Sequence, residues 1–418
     1  KNIGIRLNYP HSKIRLVSKA IDKIIKYQIE TEDFIVPWDK AFLLIEPLLK
    51  TYSNKTGFLE ELIKEGVFIE DYFYNHDSRK YEQHGVVCNY ERFNEHLKAI
   101  FLLNNYSNVE SLGKAFAAKG KLRSLFIDKF GYLQNNIGLL NAFSIIIPEK
   151  FDVEIYEVFR VREQWGQQTI FDSFLQSIIW RKHSTIKSKS WEYIRKYINY
   201  NDEQLINFFN TIILLAANPT NHFNANFIHN LLMPLPMAKR DYAWSIMIDR
   251  LWQRSESNSI KRIIDWCWSE EDKSYTKDES IILLGKILAW LFTSSNRYIR
   301  DKSTKAFSSL FTNRVHLLPD FIEEFKSVND PYVLERVIGG AFGAVTHSND
   351  IVKNSSLAQY IYNEFFSKRK PPLNVLTRDY CKGIIEFVAN TGGKLNYEKK
   401  NLNPPFDYKF PVDIPGNL

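Results

Sequence analysis

Cysteine is almost absent from this sequence, and glycine and proline are sparse. Only Cys88, Cys267 and Cys381 occur in 418 residues, beside 17 glycines and 15 prolines. Three widely spaced cysteines give neither a disulfide framework nor a zinc pattern, so they predict a reducing compartment, the cytoplasm. The low glycine and proline content excludes collagen-like and low-complexity chains.

Long hydrophobic runs and a strong charge excess are also missing. No uninterrupted apolar run approaches about 18 residues, which predicts that the chain does not span a membrane. The formal net charge is +7, but 55 basic residues face 48 acidic ones. That balance is typical of a solvated surface rather than of a nucleic-acid footprint. Because the chain begins at Lys1 rather than Met, we expect a fragment of a longer protein.

Two similar segments, residues 296–307 and 330–341, lie 34 positions apart. Each opens with a residue type that caps helix N-termini, Asn296 and Asp330, and Pro331 occupies a first helical position. In each segment an apolar and a small residue follow seven apart, on one helical face, so that a neighbouring helix can approach closely. This pattern predicts stacked helical hairpins, an architecture that binds partners and rarely catalyses.

The predicted fold is mainly α, with a small N-terminal winged-helix region in residues 1–106. Gly66 separates three helical patterns from two strand-like runs that bracket a turn cluster at 75–78, and a fourth helical pattern closes the region. We expect strands only here. The helices are expected at 14–28, 37–52, 57–65 and 91–103, and the strands at 67–74 and 86–90.

Residues 107–390 are predicted to form an α-solenoid of HEAT/TPR-like hairpins. Apolar residues recur there with helical periodicity in stretches of mostly 10–18 residues. Residues 391–418 are predicted to be an irregular, proline-rich tail whose aromatic residues contact the last helices. The helical stretches are 121–129, 131–146, 168–181, 190–199, 203–216, 225–233, 240–253, 258–268, 278–293, 298–311, 317–326, 332–345, 351–366 and 374–389.

The candidate sequence motifs for catalysis and metal binding each lack a required residue. The run 391–394 (TGGK) resembles a P-loop, but Val388 stands where a further glycine is needed and Leu395 where a magnesium-binding hydroxyl is needed. His84, Cys88 and His96 lie close in sequence but have no fourth ligand for zinc. We therefore predict no catalytic residue, no metal and no cofactor in this chain.

Adjacent acidic and basic residues recur near predicted helix starts. The pairs are Arg240–Asp241, Arg300–Asp301, Glu335–Arg336 and Arg378–Asp379. Interhelical ion pairs and capping contacts that fix the register are one interpretation. A charged ridge for a protein ligand is the other, and their recurrence at several hairpins favours the architectural one.

Two basic runs are candidates for phosphate contacts. One is Arg181-Lys182 with Lys187 and Lys189 behind it, and the other is 368–370 (KRK). Neither has aromatic residues interleaved at a spacing that would stack bases. Short runs of this kind usually lie in solvated loops, so nucleic acid is an unlikely partner.

Several phrases resemble the C-terminal half of bacterial STAND NTPases, the NACHT-type proteins of the AVAST (Avs) antiphage group. Residues 90–97 (YERFNEHL) are similar to that family's YERFSDHL phrase, with Asn94 and Glu95 in place of Ser and Asp. Residues 237–244 resemble its M-x-x-R-D-x-x-W segment, and 378–380 its R-D-Y element. The closest similarities are at 295–301 and 329–336. The motif residues are Asn296, Arg297, Arg300, Asp301, Asp330, Tyr332, Glu335, Arg336, Arg240, Asp241, Trp244, Arg378 and Asp379.

The resemblance implies a role as well as a fold. In that family an effector and an ATP- and magnesium-binding P-loop module precede a winged helix and a helical-repeat sensor. The sensor recognises a viral protein, which releases autoinhibition and permits ATP-dependent homo-oligomerisation. This chain would hold the winged helix and the sensor, while its parent's ATPase module and effector would lie outside it.

One position departs from the family pattern. Many NACHT-type proteins place a phosphate-sensing histidine at the start of the helix after the wing, and the alignment puts Tyr90 there. The resemblance implies that Tyr90, with nearby Arg92, senses the nucleotide, since Tyr can donate a hydrogen bond to phosphate. The alternative is a core tyrosine at the end of a strand.

Two further functional hypotheses stay open at this point. A helical-repeat scaffold or nucleic-acid-binding protein unrelated to immunity would, in its nucleic-acid form, bind with a steep dependence on salt. A self-contained enzyme would turn over substrate without added domains.

Overall fold

The computed structural model describes residues 2–9, 15–75, 80–133, 136–198, 202–254 and 258–408. Its contacts divide the chain into two compact units, Lys1–Thr185 and Ile186–Leu418. The predicted winged-helix region lies within the first unit, and most of the predicted helical-repeat region lies within the second. The boundary expected between 106 and 107 stays a prediction.

The winged-helix prediction is confirmed in the first part of unit 1. Three antiparallel strands form a sheet in the order β1-β3-β2, and helices pack against part of it. The turn cluster at 75–78 falls mostly outside the described residues. The elements are α1 (Asn2–Arg6), α2 (Leu16–Thr31), β1 (Val36–Pro37), α3 (Trp38–Lys50), α4 (Phe58–Lys64), β2 (Phe68–Asn75), β3 (Lys80–Cys88) and α5 (Glu91–Leu103).

The sheet differs from its prediction at two places. Strand β3 begins at Lys80 rather than at Val86, because its first half lies at the exposed end of the hairpin and lacks an apolar pattern; Tyr81 is 75% exposed. Strand β1 was not predicted, since its two residues are too few to carry an alternation. Val36 nevertheless pairs with Val86 in the buried core of this region.

The rest of unit 1 is helical around a second apolar core. The helix expected at 121–129 is wrong: the chain there forms only a short 3-10 turn and an isolated bridge between Ile127 and Leu133. Leu122 and Phe126 are both buried, so their helix-like spacing reflects a loop that packs into the core. The helices are α6 (Val109–Phe116), α7 (Ile137–Phe151), α8 (Ile155–Val158) and α9 (Gln164–Trp180).

Unit 2 has the layered helix packing of a solenoid. Alternate helices of the chain, α15, α17, α19 and α21, pack side by side. Each is followed in the chain by another helix or by the tail. A π-turn at Asp241–Ser245 joins α13 to α14, and another at Tyr362–Phe366 extends α20. The helices are α10 (Ser188–Ile198), α11 (Asp202–Leu215), α12 (Ala225–Leu232), α13 (Met237–Arg240), α14 (Ile246–Arg254), α15 (Ser259–Trp268), α16 (Asp278–Leu291), α17 (Arg297–Phe311), α18 (Leu318–Phe325), α19 (Pro331–His347), α20 (Ile351–Ile361) and α21 (Val375–Asn390).

The two segments that lie 34 residues apart open helices α17 and α19, as predicted. The Asn296 side chain accepts a hydrogen bond from the Tyr298 amide at 2.9 Å, and Asp330 accepts one from the Tyr332 amide at 3.1 Å. The small residue of α19 is required by packing. A Cβ atom at Gly340 would lie 2.6 Å from Cδ1 of Phe307 on α17.

A strap formed by residues 391–408 crosses the last helices. Two of its aromatic residues contact them: Tyr397 packs against Tyr362, and Phe406 lies under Arg378. The Gln359 side chain bonds both backbone groups of Asn396, and the Tyr362 hydroxyl accepts from the Glu398 amide at 3.1 Å and from Asn401 Nδ2 at 2.9 Å. Apart from a 3-10 turn at Lys399–Leu402, the described part of the tail is irregular.

Replacing Tyr362 by phenylalanine is expected to loosen the strap. Two donors, one of them on buried Asn401, lose their acceptor, at a cost of about 1–3 kcal/mol. Amide hydrogen exchange of residues 396–402 measures this and should accelerate by at least about fivefold. Tyr298→Phe, at a position that is 57% exposed, is the control. Equal exchange in the two variants would contradict the prediction.

Candidate functional site

Within unit 2, Arg240 and Trp244 contact Trp290, Asn329 and Asp330, and we call this cluster the clasp. The Arg240 side chain is fully buried over the Trp290 ring and donates from Nη2 to Oδ1 of Asn329 at 2.8 Å. Asp330 Oδ2 lies 3.8 Å from the same nitrogen. Burial lowers the pKa of the Arg240 guanidinium, against the opposing effect of nearby carboxylates. The Trp244 indole donates to the Trp290 carbonyl at 2.9 Å, so the clasp joins three separate hairpins.

Arg336 links α19 to α17. Its Nη1 atom lies 3.1 Å from Oδ1 of Asp301 and 3.2 Å from the Thr304 hydroxyl, while Nε donates to the Tyr332 hydroxyl at 2.8 Å. Burial raises the pKa of Asp301, but hydrogen bonds from Arg336 and Arg297 outweigh it and leave the pKa below its ordinary value. This is an interhelical ion pair of the kind that the architectural interpretation predicts.

Arg300 and Glu335 also make capping and interhelical contacts. Arg300 donates from Nη1 to the carbonyls of residues 294 and 295, at 2.7 and 2.8 Å, and lies over the Tyr332 ring. Glu335 accepts from Nδ2 of Asn374 at 2.9 Å, which connects α19 to the start of α21. Both residues therefore support the register of the repeats.

The fourth motif pair does not form an ion pair within the described residues. Arg378 lies over the Phe406 ring of the strap and donates to the Pro372 carbonyl at 3.5 Å, whereas Asp379 is exposed. Residues that are adjacent in sequence point in different directions on a helix, so their side chains do not form an ion pair with each other. The four pairs are therefore alike in sequence, but their contacts in the structure differ.

A cleft of about 670 Å³ opens beside the clasp, and we call it the motif cleft. It lies between the π-turn and the N-terminal turns of α17 and α19. Tyr242 and Ile246 at its rim are 79% and 42% exposed. Its lining includes Asp241, Tyr242, Ile246, Phe292, Arg300 and Tyr332.

A larger groove of about 1060 Å³, the repeat groove, follows α15, α17 and α19. Small residues form much of its lining, while Trp268, which is 40% exposed, stands at one side with Lys305 Nζ 5.3 Å from its ring centroid. Sequence reasoning missed this groove, although the close spacing of small residues on α17 and α19 was a signal. Those residues are Thr304, Ser308, Ser309, Gly339 and Gly343.

The residues predicted to sense a nucleotide lie elsewhere, at the start of α5 in unit 1. Tyr90 is 66% exposed and Arg92 is exposed, so the alternative of a core tyrosine is wrong. Exposure leaves both side chains accessible to a phosphate. The sensing role itself stays a prediction.

Of the candidate zinc ligands near the wing, His84 lies in an aromatic stack. The His84 ring lies between Trp38 and Tyr72, with centroids 5.1 and 4.8 Å away, and its Nε2 is 2.8 Å from the Glu70 carboxylate. Cys88 is buried. Across the part of the chain that the structure describes, no three His, Cys, Asp or Glu residues are grouped to hold a metal ion.

In each basic run the arginine side chain contacts other residues of the same chain. Arg181 is buried and makes a two-pronged contact with Glu154, at 2.6 and 2.7 Å. Arg369 donates to the Pro405 carbonyl at 2.6 Å and lies 3.5 Å from Asp407 of the strap. These contacts weaken the nucleic-acid hypothesis, because the two most suitable phosphate ligands already have partners.

Comparisons with protein-family models, curated proteins and solved structures found no match. The resemblance to the NACHT-type proteins therefore rests on the sequence motifs and on nothing beyond them. Among the described helices, none is both long and apolar enough to cross a bilayer.

Proposed function

We propose that this chain is the ligand-sensing region of an antiviral STAND ATPase and that it binds a viral protein in the repeat groove. The observation that carries the proposal is the groove itself, an extended surface with small residues along two helices and a partly exposed tryptophan beside them. Small side chains let a partner backbone approach closely, and tryptophan is enriched among residues that dominate binding energy.

Arg314 fixes one wall of the repeat groove. Arg314 donates from Nε to Asp278 at 2.9 Å and from Nη2 to the carbonyls of Lys273 and Thr276, both at 2.9 Å. These contacts hold the loop between α15 and α16 against the turn that joins α17 to α18. We infer that the loop is a pre-formed wall of the groove, which lowers the ordering cost of binding.

The proposed mechanism couples this binding to the parent protein. Ligand binding would shift an equilibrium between an autoinhibited and an open form by its differential affinity for the two. The parent's own ATPase module, with ATP and magnesium, would then support homo-oligomerisation in the cytoplasm. We propose that this chain is itself not an enzyme, in keeping with the failed Walker pattern at 391–394.

Filling the groove is expected to abolish ligand binding. Purified chain should capture one of a panel of viral structural or packaging proteins, and calorimetry should give its Kd. Ser309→Arg places a long side chain in the groove and should weaken that binding by at least about tenfold, or 1.4 kcal/mol.

Ser356→Arg is the matched control, because Ser356 is exposed on α20 and does not line the groove. It should bind as the parent sequence does, and both variants should keep the same melting temperature. Failure to capture any viral protein, or equal binding by the two variants, would count against the proposal.

A further inference from the structure

The motif cleft presents aromatic and apolar side chains to solvent. The π-turn inserts one extra residue into the helix that runs from α13 to α14, and it places Tyr242 and Ile246 at the rim. Buried Phe292 and half-buried Tyr332, in the first turn of α19, also line the cleft. The Tyr332 ring is already covered by Arg300 and Arg336, so a flat side chain can pack on the exposed Tyr242 ring while its stem contacts Ile246.

Among the described residues that line the cleft, Arg300 is the one cation, and it already has partners. Arg300 donates from Nη1 to the carbonyls of residues 294 and 295 and stacks on Tyr332. Arg336, which also contacts Tyr332, is paired with Asp301. These arginines therefore form part of the wall and compete weakly for a new anion or carboxylate.

Three carboxylates line the cleft, and two of them, Asp241 and Asp249, form no ion pair within the described residues. Asp330 caps a helix and lies 3.8 Å from Arg240. Asp249 accepts only from two serine hydroxyls, at 2.8 and 2.6 Å, and exposed Asp241 accepts from Ser245 Oγ at 3.1 Å. Within the described residues neither Asp241 nor Asp249 forms an ion pair, although Arg240 acts on Asp241 at longer range. The free charge of the cleft is thus negative.

We propose that the motif cleft binds an arginine side chain of a protein partner. A planar guanidinium stacks on a tyrosine ring and donates to carboxylates, and its aliphatic stem packs on apolar surface. In this cleft Tyr242 offers the ring, Asp241 and Asp249 the carboxylates, and Ile246 the apolar surface. The proposal rests on the proposed function in one respect, that the partner is a protein. It assigns a side-chain class to a second surface, apart from the repeat groove.

Small probes test this without knowledge of the partner. Nα-acetyl-arginine amide is titrated into the methyl-labelled protein, and the Ile246 δ1-methyl resonance is followed by NMR. Nα-acetyl-citrulline amide has nearly the same shape without the charge and is the matched control probe. We expect a saturable Ile246 shift with the arginine probe, at least about threefold weaker binding of citrulline, and weakening by added salt.

Two rim variants complete the test. Asp241→Asn and Tyr242→Ala should each weaken the arginine probe by about threefold, since each removes one exposed attraction. Equal binding of arginine and citrulline, or no saturable shift at Ile246, would overturn the proposal. Because Ser309→Arg lies in the other groove, it should leave this titration unchanged, so failure here and failure of viral-protein binding are separate results.

Discussion

Trp244→Ala is expected to destabilise unit 2 by about 3–5 kcal/mol, the usual cost of deleting a buried indole. Trp244 is fully buried, packs edge-on against Phe209 of α11, and donates to the Trp290 carbonyl of α16. The substitution therefore removes packing between hairpins and leaves a cavity in the clasp.

Hydrogen exchange of the α16 and α17 amides measures this effect, because it reports local stability in a chain with two units. Protection should fall by about two to four orders of magnitude. Tyr242→Ala is the control, since Tyr242 lies two residues earlier on the same helix and is 79% exposed. If the two variants lost the same protection, the clasp would not stabilise the array.

Glu154→Gln is expected to destabilise unit 1 by about 3–5 kcal/mol. The change keeps the shape of the side chain but removes the carboxylate that faces Arg181 at 2.6 and 2.7 Å. Arg181 is 2% exposed, and its Nε atom has no hydrogen-bond partner among the described residues, so the guanidinium would remain buried without its counter-charge. The exchange rates of the α8 and α9 amides should rise accordingly.

An apolar double variant separates the two causes of this loss. In Glu154→Leu/Arg181→Met both charges disappear together, and replacement of a buried pair by hydrophobic residues is often nearly neutral. We expect most of the lost protection to return. A double variant as unstable as Glu154→Gln would show that hydrogen-bond geometry, and not the unpaired charge, determines the stability.

Local signals explain what the sequence predicted correctly. Asn296 and Asp330 cap their helices, and Gly340 lies against Phe307, because capping and close packing depend on residues near each other in the repeat. The helix at 121–129 fails for the opposite reason: Leu122 and Phe126 are spaced like helical residues, but a loop buries them. The spacing of apolar residues shows which residues are buried, but it does not by itself show that they form a helix.

The candidate sites were less accessible to sequence reasoning. The motif residues Arg240 and Trp244 could be selected from the sequence, but their partners Asn329 and Trp290 come from hairpins far along the chain. The small residues of α17 and α19 were a local signal for the repeat groove, but the groove itself forms only when several helices pack together. Tyr90 was correctly placed at a helix start, while its exposure depends on packing that the sequence does not encode locally.

The contact between Arg240 and Asn329 spans 89 residues, and Asn329 also donates to the Leu235 carbonyl at 3.0 Å. In a simple repeat array each hairpin meets only its neighbours, so terminal repeats can fray while the others persist. Here the chain between residues 240 and 329 is closed into a loop by those bonds. Helices α14 to α18 are therefore expected to melt together, with unfolding steeper than that of an open array of equal length.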